Sequence, residues 1–150
     1  MITVYTWQGN DFDLFSGIID QSKSRYAESV SDYLKKIEVL NQIIGSNQYL
    51  WAFLNSSQHQ LFEICKPVEW VLEIANSDIL GYVNNPIWEQ FLYYGDEDLD
   101  LNNLVQQEII DRIDQSALVR HPIEATKIRR KRIYEIKNPY DVKMLEETIF

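Results

Sequence analysis

The feature that most constrains this chain is the order in which its hydrophobic period changes. Ile2, Val4 and Thr6 alternate with Thr3, Tyr5 and Trp7, nearly all β-branched or aromatic, until Gly9 and Asn10 break the run. That period of two reads as a strand with both faces buried. After Ser31, which can cap a helix, Tyr33, Leu34, Ile37, Leu40 and Ile44 recur at steps of three and four until Gly45, so the longest helix is predicted there. The period of two then returns. Gln48–Leu54 is short, aromatic and bounded by polar turns, and Glu69–Ala75 sets Glu69, Val71 and Glu73 against Trp70, Leu72 and Ile74. Strands that cluster instead of alternating with helices argue against a doubly wound parallel sheet. The predicted class is α+β, a mixed or antiparallel central sheet with helices packed against it, and Trp51 and Trp70 are expected in its core.

Local signals place the remaining elements. Asn10 can cap a short helix through Phe12, Leu14, Phe15 and Ile18, and Asn76 or Ser77 a single turn through Ile79, Leu80 and Gly81. Asn85 followed by Pro86 opens a helix that Gly95 closes, and an acidic loop follows. Leu104, Ile109, Ile110 and Ile113 are spaced for a helix over Leu101–Ile113. Pro122 marks the entry to two strand-like segments, Ile123–Ile128 and Arg132–Lys137, and Asp141 begins a short terminal helix. No repeat, low-complexity tract or linker divides residues 1–150, so one domain is expected. Its 19 aromatic residues are ample material for a core. Cys65 is the sole cysteine, which removes any intramolecular disulfide or cysteine zinc site, and no basic segment precedes an apolar run at the N-terminus. Both point to a cytoplasmic protein.

Charge is segregated. The net charge is −9, yet residues 101–150 are almost balanced, and the excess lies between Asp78 and Asp114. There Asp78, Glu89, Asp96, Glu97, Asp98, Asp100, Glu108, Asp111 and Asp114 face a single base, Arg112. The run Lys127–Arg132 is basic, but on a strand its members point to opposite sides. With an acidic overall balance it lacks the footprint of a nucleic-acid binder, and its expected partners are the protein's own carboxylates.

Catalytic constellations are scarce. The five glycines never approach the spacing of a phosphate-binding loop, and neither His59 nor His121 has a histidine partner at helical spacing, so no metal site is expected. Cys65, ahead of Lys66 and Pro67 in an apolar stretch, reads as an inert core residue and not as a nucleophile served by His59. Ser56, Ser57 and His59 lack the strand-to-helix elbow of a serine nucleophile. Glu69, Glu73 and Glu124 fall in strand-like segments, where a carboxylate must face solvent, a partner or a cleft. The leading expectation is therefore an interaction protein. Its acidic segment would dock on a basic protein, such as a nucleic-acid-processing enzyme, with Trp88, Phe91, Tyr93 and Tyr94 as apolar anchors and with neither nucleic acid nor membrane as direct partner.

Several segments resemble a small family of bacterial and phage domains of unknown function. The similarity is carried by Tyr5, Thr6, Trp7 and Gln8 in the first strand, by Trp51, Ala52 and Phe53, by the stretch from Trp70 through Ile79 to Trp88, and by Ile123, Glu124, Ala125 and Thr126. The order of elements is also similar to the ADP-ribosyltransferase fold. That resemblance implies an NAD site built from Thr6, Gln8, Trp51 and Glu124, with Arg129 or Arg130 on the pyrophosphate. Gln8 and Glu124 would be its catalytic candidates. Thr126 stands where that fold carries its final glutamate, which would remove the main electrostatic contribution to transfer.

Overall fold

A computed structural model describes residues 1–24, 26–56, 67–95, 99–138 and 140–150. Eight strands form one sheet in which every pairing is antiparallel. They are β1 (Ile2–Gln8), β2 (Tyr49–Phe53), β3 (Val68–Ile74), β4 (Ile79–Asn84), β5 (Val105–Gln106), β6 (Gln115–Arg120), β7 (Ile128–Asn138) and β8 (Asp141–Ile149). The spatial order is β5-β4-β6-β2-β1-β3-β7-β8. Among the described residues three α-helices accompany it: α1 (Tyr26–Ser29), α2 (Tyr33–Ile44) and α3 (Asn85–Tyr94). The α+β class holds, with the sheet antiparallel and not mixed.

The register sorts side chains onto two faces, because paired residues stand side by side. One face carries Val4, Leu72 and Ile128, which pack with Ile2, Leu50, Ala52, Ala117 and Val119 around Leu14 and Ile123. The other carries Tyr49 and Leu118, on which α2 and α3 lay Ile37, Leu40, Trp88 and Leu92. Trp51 and Trp70 are half-buried at the margins of these cores, and the buried tryptophans are Trp7 and Trp88, 3% and 7% exposed. The expected core placement of Trp51 and Trp70 is thus corrected: their bulk closes over the core and does not fill it.

α3 forms as its sequence signals predict. The Asn84 side chain accepts from Ile87 N–H, Pro86 sits in the first turn, and Gly95 ends the helix at φ 57°. α2 stops at Gly45 as predicted, but it starts after Asp32 (φ 57°) without a side-chain cap.

Five further expectations are corrected. No helix forms at residues 10–18, where Asp13 instead accepts from Phe15 N–H and Ser16 Oγ in a local turn. The turn after β3 is confined to Asn76–Asp78, and Ile79, Leu80 and Gly81 enter β4. Leu101–Ile113 is not an α-helix: Leu101–Asn103 makes a single 3-10 turn and Val105–Gln106 is β5. The Asp100 side chain accepts from Asn102 N–H, Asp111 accepts from Ile113 N–H, and Gln115 takes the N–H groups of Ile110 and Asp111. Side chains that hold the backbone this way compete with the helical ladder. Finally, residues 125–127 make one tight turn, β7 runs unbroken from Ile128, and the segment from Asp141 is strand β8. There the hairpin with β7 overrides a sequence that a helix would also accept.

Candidate functional site

The basic run shows how the sheet handles its charge. Arg129 is an extra residue opposite Val71 and Leu72, and this bulge turns Ile128 onto the core face with Leu72 and Val4, away from Arg130 and Arg132. The arginines then meet carboxylates. Arg129 Nε lies 2.7 Å from Glu73 Oε2, Arg130 Nη1 lies 3.6 Å from Glu147, and Arg132 bridges Glu69 at 2.9 Å and Glu147 at 2.7 Å. Lys131 sits 4.9 Å over the ring of Trp70. The protein's own carboxylates therefore occupy the basic run, as the sequence led us to expect.

Glu69 is the unusual member. Its side chain is 2% exposed, held by Arg132 and by the Trp7 indole N–H at 3.1 Å, with Tyr134 stacked on Trp7 at 4.9 Å. Burial pushes its carboxyl above the usual carboxylate range, against the opposing pull of Arg132. Glu147 is driven the other way, since the Arg132 hydrogen bond holds it below that range. The sequence marked Glu69 as a carboxylate needing a destination but gave no sign of Trp7, Tyr134 and Arg132 as that destination. The available signal was two glutamates four apart on one face of β3 and a run of arginines in a later strand; the bulge at Arg129 then sets their partners, Arg129 and Arg132, three apart.

The acidic segment surrounds β4 and β5 at the opposite end of the sheet. Asp78 lies 3.8 Å from Arg120 Nε, Glu89 is exposed on α3, and Asp100, Glu108 and Asp111 are exposed in the connection between α3 and β6. Asp96, Glu97 and Asp98 lie outside the described residues, as do Ser57, His59, Cys65 and Lys66. Trp88 is corrected as a surface anchor. It is buried, with its ring 5.6 Å from Trp51 and 6.0 Å from Phe91. Of the other anchors Tyr93 and Tyr94 are exposed, at 57% and 82%, and Ile110 and Ile113 add exposed apolar groups in the acidic segment, at 72% and 67%.

The residues assigned to an NAD site do not share a face. Thr6 and Gln8 point to one side, where Gln8 Nε2 donates to Thr6 Oγ1, while the Trp51 ring lies against Trp88 on the other. Glu124 is exposed ahead of the turn at residues 125–127. Gln8 stands in the row of Val68 and Ile133, five residues or roughly 16 Å along β7 from Ile128. Arg129 and Arg130 are held by Glu73 and Glu147. The fold does not bring these side chains together, and none of them lines either of two open cavities. One, of about 600 Å³, lies between Ile79, Tyr82, Glu108 and Arg112. The other, of about 660 Å³, lies between Ile19, Lys23 and Glu38. Among the described residues no three His, Cys, Asp or Glu side chains gather as a metal site, and no helix is long and apolar enough to cross a membrane. No known family, curated protein or solved structure matches the chain.

Proposed function

We propose that this chain is a protein-binding module that docks on a basic protein through its acidic segment, in the manner of an inhibitor that neutralises a toxin or blocks a defence enzyme. A nucleic-acid-processing enzyme has the required positive surface. One observation carries the reading: Glu69, Glu73 and Glu147 occupy Arg129, Arg130 and Arg132 at the far side of the sheet, so these bases do not neutralise Glu89, Asp100, Glu108 and Asp111. Exposed carboxylates of one sign accelerate encounter with a basic surface, and the adjoining Tyr94, Ile110 and Ile113 offer apolar contact once encounter is made.

The test compares two triple neutralisations in capture experiments from lysate at low and high salt. Glu89→Gln, Glu108→Gln and Asp111→Asn together should abolish a salt-sensitive partner. An equal loss of charge at the exposed Glu28, Asp32 and Glu38 should retain it. Equal losses in both, or no salt-sensitive partner in the native chain, would refute the reading.

A further inference from the structure

The sheet has two edges of very different length. β5 is two residues long, whereas β8 is nine. Phe150 N–H donates to the Arg129 carbonyl at 3.0 Å and so turns toward β7, while Tyr134 N–H donates to Pro67 at 2.9 Å, away from β8. Backbone groups alternate in direction along a strand, so Glu147 and Ile149 turn their N–H and C=O groups outward. Leu145 is an extra residue in β8 between the pairs Ile133/Glu146 and Tyr134/Met144. Beyond that bulge the outward positions become Met144 and Val142. Met144, Leu145, Ile149 and Phe150 are 50–67% exposed on this edge. Natural sheets blunt edges of this kind because they invite pairing with another strand.

We propose that β8 pairs antiparallel with β8 of a second copy of this chain about a two-fold axis normal to the sheet. The register that joins outward backbone groups sets Met144 opposite Glu147 of the second copy, and Val142 opposite its Ile149. Val142 and Ile149 then form an apolar pair on one face. On the other face Lys143 lies diagonal to Glu146 of the second copy, opposite charges within reach. A register centred on Glu147 would instead oppose like charges directly, which is destabilising. Charge therefore selects the first register. Because the β5 edge is too short to continue the sheet, the contact is the same patch on both copies and closes at two.

Sedimentation equilibrium of the full chain, from micromolar to millimolar concentration, tests this. The expected mass is twice the 17.8 kDa of one chain. Ile149→Pro deletes an outward N–H and leaves the bond from Phe150 to β7 in place, so it should raise the dimer dissociation constant about tenfold or more, with a melting curve that matches the native chain's at dilutions where both are monomeric. Met144→Glu, which opposes the second copy's Glu147, should weaken the dimer as well, whereas Met144→Lys should retain or tighten it. A monomer at every concentration would overturn the proposal, as would a dimer indifferent to Ile149→Pro and to both Met144 variants. A dimer lost instead on neutralising Glu89, Glu108 and Asp111 would move the contact to the acidic segment and equally overturn it.

Discussion

Replacing Arg132 by Met tests the central electrostatic claim about the sheet. Arg132 meets two carboxylates at nearly the same distance, 2.9 Å to Glu69 and 2.7 Å to Glu147, yet the two partners differ in burial, 2% against 27% exposed. Removing the cation leaves Glu69 to neutral donors such as Trp7 and Tyr134. Breaking a buried pair in this way costs about 3–5 kcal/mol, and these neutral donors place the expected loss near the lower end, at about 3 kcal/mol. Glu147→Gln removes the solvent-facing half of the bridge, and its expected loss is the smaller of the two, because solvent screens that half. Burial, and not distance, sets the difference.

The pH dependence separates this account from simple loss of packing. Burial already raises the Glu69 carboxyl above its ordinary value of 4.5, and loss of Arg132 raises it further. In the variant the native state then takes up a proton more readily than the unfolded chain, so its stability is favoured at low pH and falls as pH rises through the folded pKa. Glu147, held low by Arg132, works the same way in the comparison, because its contribution is present above 4.5 in the native chain and is lost as pH falls through its lowered pKa. The deficit of Arg132→Met should therefore be full at neutral pH and under about half of that near pH 4. Urea unfolding followed by circular dichroism at both pH values measures it. A neutral-pH loss below about 1 kcal/mol, or one that does not change with pH, would refute the reasoning.

Trp88→Ala should cost about 3–5 kcal/mol in urea unfolding and Trp70→Ala roughly half as much, because the first empties a buried site and the second uncovers a half-buried one; equal losses would contradict the placement of these rings. Gly81→Ala should cost about 1–3 kcal/mol, since a Cβ there would stand 2.5 Å from Val105 Cγ1. Adding Val105→Ala should recover part of that loss, and a double variant no better than Gly81→Ala would mean that Val105 is not the obstacle.

What could be read from the sequence depended on how far away each cause lay. α3 was legible because Asn84, Pro86 and Gly95 act on their own neighbours, and β1 and β3 because alternation is local too. The segment Leu101–Ile113 has helical apolar spacing, but Asp100, Asp111 and Gln115 commit the backbone to side-chain bonds that spacing does not report. β8 was read as helix because its strand state is supplied by β7. Glu69 raised the right question, yet its answer, Arg132, lies 63 residues away in the chain. Among the acidic candidates the sequence located the carboxylates, and of the aromatic anchors on α3 it offered two that are exposed, Tyr93 and Tyr94, and one, Trp88, whose ring the core takes up, because helical spacing alone does not report which face the sheet covers.

The two proposed surfaces stand at opposite ends of the strand order, with β4 and β5 at one end and β8 at the other. At about 4.8 Å per strand, the separation is roughly 30 Å. That exceeds the screening length of about 8–10 Å at physiological salt, so charge changes on β8 do not reach the acidic segment through solvent. The arginines of β7, the strand next to β8, are already bound to Glu69, Glu73 and Glu147, which weakens any residual field between the ends. Pairing through β8 would also leave both acidic segments on the outer margins of the joined sheet, unobstructed by the new interface. Edge pairing and docking of a basic partner are therefore expected to be additive: Ile149→Pro should leave the affinity of a single acidic segment unchanged, and neutralising Glu89, Glu108 and Asp111 should leave the dimer intact.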